Sequence, residues 1–152
     1  MTTPLDGFAR SARQTPAAWA KESLPVLLDT TVLIDVLRGR PAADRVLALR
    51  RGGQVPWICA VNIEEVWRGL KAREEESANG LLDALRLAAL GRSEARRAGA
   101  WRRQFAQSGT TLTQADCLIA SAAVAIGVPL ATGNPKDFPM EELAVEHWPV
   151  GR

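Results

Sequence analysis

Apolar positions along the chain fall into short runs separated by stripes of helical spacing. Val26, Leu27 and Leu28 form an unbroken apolar run, too short for a helix and without polar alternation, which predicts a buried strand over Leu24 to Asp29. Thr30 or Thr31 then caps a helix from Val32 to Leu37, closed at Arg38-Gly39, and Pro41 suits the first turn of a second helix, Ala42 to Arg51. Val55 to Ala60 reads as another strand, and Asn62 as the cap of a helix from Ile63 to Ala72. Glu74, Glu75 and Glu76 form a solvated turn or helix start. Leu81, Leu82, Leu85, Leu87 and Leu90 follow as one apolar face at helical spacing. Ser93 opens a long helix to about Gln107, broken at Gly109, and Thr113 caps a helix from Gln114 to Ile126 that ends at Gly127. Val128 to Thr132 is a strand, Asn134 to Asp137 a turn, and Val145 to Trp148 a last short strand. Residues 1–23 show little periodicity and read as a mobile extension with room for one short helix around Trp19; an over-long translation start is the alternative.

Strands alternating with helices predict an α/β fold, a parallel sheet with helices on both faces. In such a sheet ligands bind outside the carboxyl ends of the strands. Asp29 sits at such an end, where a buried carboxylate costs several kcal/mol unless something positive or hydrogen-bonding meets it. Glu65 and Asp116 fall in the first turns of predicted helices, and Asp137 follows a strand by a few residues. Each has a local explanation: Asn62-x-x-Glu65 and Thr113-x-x-Asp116 have the form of capping boxes, Asp29 suits a turn before a helix, and Asp137 suits the turn at Pro135. Their common edge of one topology favours a joint site. Four carboxylates in one cleft repel, and a bound cation holds them together at neutral pH. Without His or Cys they are hard oxygen ligands matched to Mg²⁺ or Mn²⁺, which activate water for in-line attack at phosphorus. Asp35, Asp44, Glu64 and Asp83 read as surface charges.

Composition narrows the picture. A chain of 152 residues suggests one domain with a sizeable core. No apolar run approaches a bilayer span and the N-terminus lacks the apolar core of a signal peptide, so the expected compartment is the cytoplasm, with no membrane partner. Cys59 and Cys117 make no C-x-x-C and read as small buried hydrophobes, against a disulfide framework or structural zinc. His147, the single histidine, reads as a rim residue and argues against triad or His-metal chemistry. Net charge is only +2, but Arg86, Arg92, Arg96, Arg97, Arg102 and Arg103 face a lone Glu94, a local basic face suited to phosphate. A solvated helix surface explains the same charges.

Three blocks then make the chain recognisable: LLDTTVLIDVLRG (Leu27 to Gly39), IEEVWRGL (Ile63 to Leu70) and LTQADCLIASAAVAIGVPLATGNPKDF (Leu112 to Phe138). In order and spacing the chain resembles a PIN domain, more closely a VapC-type toxin of a toxin–antitoxin pair, from about Leu24 onward. The resemblance implies a three-layer α/β/α domain over residues 24–152 with a mainly parallel central sheet. It implies a Mg²⁺- or Mn²⁺-dependent endoribonuclease leaving 5′-phosphate and 3′-hydroxyl ends. The acidic quartet falls on Asp29, Glu65, Asp116 and Asp137, with Asp29 and Asp116 as metal-binding positions and Glu65 preferred to Glu64. Family members carry the fourth acid at the place of either Asn134 or Asp137, and Asn134 offers only a neutral oxygen or a water-orienting amide. Thr31 and Thr132 match small hydroxyl positions. Arg92, Arg96, Arg97 and Arg103 would meet RNA. The expected partners are a cognate antitoxin covering the site, docked near Val66-Trp67-Leu70 and Leu81 to Leu90, and a second copy in a homodimer. The segment before Leu24 has no counterpart in the pattern. The competing readings are a non-catalytic PIN-like module binding RNA or protein, and an RNA-processing nuclease without an antitoxin. DTTVLID also loosely matches the haloacid-dehalogenase motif, but Thr31 stands where its second Asp belongs.

Overall fold

The computed structural model describes residues 25–151; the expected extension over residues 1–23 lies outside the described residues. The chain runs β1 (Leu27–Leu28), α1 (Thr30–Leu37), α2 (Pro41–Arg51), β2 (Trp57–Cys59), α3 (Ala60–Arg68), a 3₁₀ turn (Ala72–Glu74), α4 (Glu75–Ala84), β3 (Arg86–Ala88), α5 (Arg92–Gln107), α6 (Gln114–Ile126), β4 (Leu130–Thr132), a second 3₁₀ turn (Pro135–Asp137) and β5 (Val145–His147). The five strands pair in the order β3-β2-β1-β4-β5, all parallel. This is the expected α/β/α architecture with a parallel central sheet.

The inner strands β2, β1 and β4 are short but largely buried on both faces, which explains why their sequences read as apolar runs rather than alternations, whereas the edge strands β3 and β5 are more exposed. Side chains alternate between two cores. Leu27, Cys59 and Leu130 join Trp101, Ile119, Phe138 and Met140 beneath α5 and α6. Leu28, Ile58 and Ala131 join Val32, Leu33, Val46, Val66, Leu82 and Trp148 beneath α1 to α4. Cys59 and Cys117 are buried and free. Among the described residues no helix is long and apolar enough to cross a membrane.

Several local expectations are corrected. The leucines from Leu81 to Leu90 do not share one helix. The α4 stripe stops at Ala84, Leu85 turns extended, and Arg86–Ala88 pairs with Trp57–Cys59 as the edge strand. Three residues are too few for a period to separate strand from helix, and Leu87 is exposed on this edge strand among the described residues. Asp29, not Thr30 or Thr31, is the N-cap of α1. Helix α3 begins at Ala60, so Asn62 lies inside its first turn and its side chain reaches back to the Cys59 N–H. Glu65 therefore sits mid-helix and takes no part in a capping box. That helix ends at Arg68, where Gly69 caps it, rather than at Ala72. Asp35 is no surface charge: it is 1% exposed and accepts from the Ala42 N–H, an otherwise orphaned donor in the first turn of α2. The strands expected from Val55 and Val128 are each trimmed to three residues, and among the described residues of the first expected strand Leu27–Leu28 is strand.

Candidate functional site

In the order β3-β2-β1-β4-β5 the chain leaves β1 to one side of the sheet and β4 to the other, so a crevice opens above the carboxyl ends of those two neighbours. Asp29 follows β1 directly and Thr132 closes β4. The Thr132 hydroxyl donates across the crevice to Asp29 Oδ2 at 2.7 Å. Thr31 Oγ1 donates to the same oxygen at 3.0 Å, and the Thr30 N–H donates to Oδ1 at 2.8 Å. Asp29 is only 4% exposed and Thr132 is fully buried. Two donors fill Oδ2, so Oδ1 is the oxygen with lone-pair capacity to spare.

The threonines are themselves fixed. Thr31 Oγ1 accepts from the Gly133 N–H at 3.1 Å, and Thr132 Oγ1 accepts from the Asn134 N–H at 3.0 Å. Thr30 Oγ1 donates to Glu65 Oε1 at 2.6 Å and accepts from Asn62 Nδ2 at 3.1 Å. Three consecutive residues, Asp29 to Thr31, thus tie β1 to α3 on one side and to the β4 turn on the other. Thr30 and Asn62 carry parts that sequence reasoning missed. The signal was present: Asn62 and Glu65 are three apart and share a helix face, and the hydroxyl at Thr30 directly follows the acid.

Electrostatics links all four acids. Burial pushes the Asp29 carboxyl above its ordinary 3.8, hydrogen bonds from Thr132, Thr31 and Thr30 pull it back, and Glu65 adds repulsion. Asp116, half-buried in the first turn of α6, is pushed up to about 6, first by burial and then by the charges of Asp29, Asp137 and Glu65; the hydrogen bond with Thr113 acts the other way. The Asp116 N–H donates to Thr113 Oγ1 at 3.1 Å, which is the expected cap. Asp137 ends its 3₁₀ turn and is exposed, as is Asn134. Glu64 is exposed and lines a separate recess with Gln114, Ala115 and Leu118.

Among the described residues, no three Asp, Glu, His or Cys side chains lie close enough together to hold an ion as they stand. The four acids share one electrostatic field rather than a closed coordination sphere. Their chemistry still fits a hard divalent cation: every donor is a carboxylate or neutral oxygen, and Asp29 Oδ1 accepts only one hydrogen bond, from the Thr30 N–H.

The candidate basic face divides. Arg92, Arg96 and Arg103 are exposed on α5. Arg97 is half-buried and donates to the Ser121 carbonyl at 3.2 Å, while the Arg102 Nε donates to the Leu112 carbonyl at 3.3 Å; both join α5 to the α6 region. Arg86 stacks on Trp57 at 4.0 Å. His147 is exposed and borders a recess with Asn134, Lys136 and Asp137. In the region expected to dock a partner, Val66, Leu82 and Leu85 are core, whereas Trp67 and Leu87 are 40% and 60% exposed. Ile34, Leu37, Arg38, Val66, Leu70 and Glu74 line a recess between α1, α3 and the first 3₁₀ turn.

Comparison with known proteins agrees with this fold. The PIN domain family profile matches residues 26–142. Ribonuclease VapC10 of Mycobacterium tuberculosis is 35% identical over 118 residues, covering 77% of this chain and 88% of the relative. Ribonuclease VapC19 of the same organism is 30% identical over 116 residues, covering 75% and 92%. Among solved structures, a toxin–antitoxin complex from Klebsiella pneumoniae superposes with a TM-score of 0.64 at 26% identity, covering 78% of this chain and 95% of that one.

Proposed function

The chain belongs to the PIN-domain family, and within it we infer a VapC-type ribonuclease that acts as the toxin of a toxin–antitoxin pair. The observation that carries the site assignment is the Asp29 carboxylate, buried yet held ionisable by three donors, in the electrostatic field of Glu65, Asp116 and Asp137. We assign the reaction as hydrolysis of RNA phosphodiester bonds dependent on Mg²⁺ or Mn²⁺, leaving a 5′-phosphate.

Asp29 and Asp116 would hold the cation, with Glu65 and Asp137 at its flanks. When bound, the cation supplies charge neutralisation at the phosphate and lowers the pKa of water. The chain's own residues do the rest. Thr31 and Thr132 stop the Asp29 carboxylate from rotating, so its free lone pair keeps one direction. Thr30, braced by Asn62, orients Glu65, which can accept a proton from an incoming water. Asn134, exposed beside Asp137 at the crevice rim, can donate its amide to the scissile phosphate. Arg92, Arg96 and Arg103 add phosphate contacts along the RNA.

An antitoxin is the partner, and we place it over the recess between α1 and α3 lined by Ile34, Leu37, Val66 and Leu70. A homodimer belongs to the same reading. The test is induced expression of the native chain and of Asp116→Ala in a bacterial host lacking the antitoxin, with 5′ ends of total RNA mapped. Growth arrest with discrete new 5′-phosphate ends, absent in Asp116→Ala, supports the assignment. Arrest by both forms removes the toxicity from this site.

A further inference from the structure

After β5 the chain turns back over the edge of the candidate site. Trp148 is buried, its N–H donates to the Thr132 carbonyl at 2.9 Å, and the Arg45 guanidinium covers its ring at 4.1 Å. Three residues on, the Gly151 N–H donates to Asp35 Oδ1 at 2.9 Å. Asp35 is the buried carboxylate that also holds the start of α2 through the Ala42 N–H. Both its oxygens are therefore engaged, one by α2 and one by the tail.

Between these two anchors Val150 lies on Gly133. A Cβ at Gly133 would stand 2.6 Å from Val150 Cγ2 and 3.0 Å from Cγ1. Gly133 does not have the left-handed backbone of Gly39 or Gly127, with φ of 65° and 71°. Glycine is needed here for space, not for its backbone angles. The position is critical for the site. Gly133 donates to Thr31, Thr132 before it donates to Asp29, and Asn134 after it donates to Thr132. Gly133 thus adjoins, through its N–H and through the peptide it shares with Thr132, both side chains that donate to Asp29 Oδ2.

We propose that the C-terminal segment Trp148 to Gly151 is a positioning clasp for the site, with Val150 seated on Gly133 and Gly151 tied to Asp35, so that Thr31 and Thr132 keep the Asp29 carboxylate in its cation-holding orientation. Val150, Gly133 and Asp35 are positioning residues, acting through Thr31 and Thr132. The clasp rests on the reading of Asp29 as a cation-holding acid.

The test is a compensation experiment in the full chain with Gly133→Ala, Val150→Gly and the double variant. Three quantities are measured: Mn²⁺ affinity by calorimetry without RNA, kcat and KM on an RNA oligonucleotide carrying the mapped cleavage site, and the thermal midpoint. Gly133→Ala is expected to weaken Mn²⁺ binding and lower kcat by about 10-fold or more, with KM little changed. Removing the Val150 side chain makes room, so the double variant returns to the level of Val150→Gly alone. The readout a merely structural role would not give is the fall in Mn²⁺ affinity and kcat at unchanged KM and little-changed thermal midpoint in Gly133→Ala. Gly133→Ala that binds Mn²⁺ and cuts like wild type overturns the clasp, as does a double variant as poor as Gly133→Ala. If Gly133→Ala does not fold, Val150→Gly decides: a Mn²⁺ affinity weaker by about twofold or more supports the clasp, and an unchanged affinity overturns it. A wild-type chain that neither binds Mn²⁺ nor cuts RNA removes the site reading and the clasp together, an outcome distinct from variants that fail to respond.

Discussion

Replacing Asp116 by Asn should stabilise the metal-free protein while disabling it. Asp116 has its carboxyl raised from 3.8 to about 6, mainly by burial and then by Asp29, Asp137 and Glu65. A group whose folded pKa lies above its unfolded value contributes stability that is complete below the unfolded value. That stability is lost as pH rises through the folded value. Metal-free protein should therefore lose stability between about pH 4 and pH 6 to 7 and level off above. At full strength a shift of this size corresponds to about 3 kcal/mol at pH 7.5. Asp116 is only half-buried, and solvent screening reduces that to about 1 to 1.5 kcal/mol. Asp116→Asn removes the charge and keeps the shape, but loses up to about 0.5 kcal/mol from an acid at a helix N-terminus. The expected net gain is about 1 kcal/mol at pH 7.5, or about 2 to 4 °C in midpoint, and none at pH 4. Thermal melts in chelator at pH 4, 6 and 7.5 measure it. Adding Mn²⁺ at 100 times its Kd should invert the order, because wild type gains about 2.7 kcal/mol and the variant little. A variant less stable than wild type in chelator at pH 7.5, or a difference that does not depend on pH, refutes the reasoning.

Thr132→Val removes the donor to Asp29 Oδ2 and orphans the Asn134 N–H; chemical denaturation should show a loss of about 2 to 4 kcal/mol, and RNA cleavage a fall of about 10- to 100-fold. Glu65→Gln should lower cleavage by about 100-fold, while Glu64→Gln, on the exposed side of α3, stays within about twofold in the same assay. Arg97→Ala should cost about 1 to 2 kcal/mol of stability through its lost bond to the Ser121 carbonyl. Arg92→Ala, Arg96→Ala and Arg103→Ala should leave the thermal midpoint unchanged, and each should reduce the salt slope of RNA binding by about 0.7.

Much of this arrangement was legible in the chain. The run at Leu27-Leu28 followed by Asp29, the cap at Thr113 and the glycine stop at Gly127 are local signals, and local physics decides them. The sheet with acids at its carboxyl edge followed from alternating elements. What was not legible depends on neighbours far away in sequence. Strand β3 exists because Trp57–Cys59 offers it a pairing edge; the leucines around it carry no strand period. Asp35 looks like a surface charge on a short helix, and only the fold brings the Ala42 and Gly151 N–H groups to its two oxygens. The Thr30 hydroxyl reads as a cap until α3 delivers Asn62 and Glu65 to it. Of the arginines, charge pattern alone could not separate Arg97, spent on Ser121, from the exposed Arg92 and Arg96.

The central claim is that Asp29 and Asp116 hold a divalent cation with which the chain cuts RNA. The most direct measurement follows cleavage of a 5′-mapped RNA by the purified chain in chelator, after adding back Mg²⁺ or Mn²⁺, and with Asp29→Asn and Asp116→Asn alongside. No cleavage is expected in chelator, with recovery by either ion at defined positions bearing 5′-phosphates, and no recovery in either variant. Cleavage that persists in chelator, or that survives both substitutions, contradicts the claim.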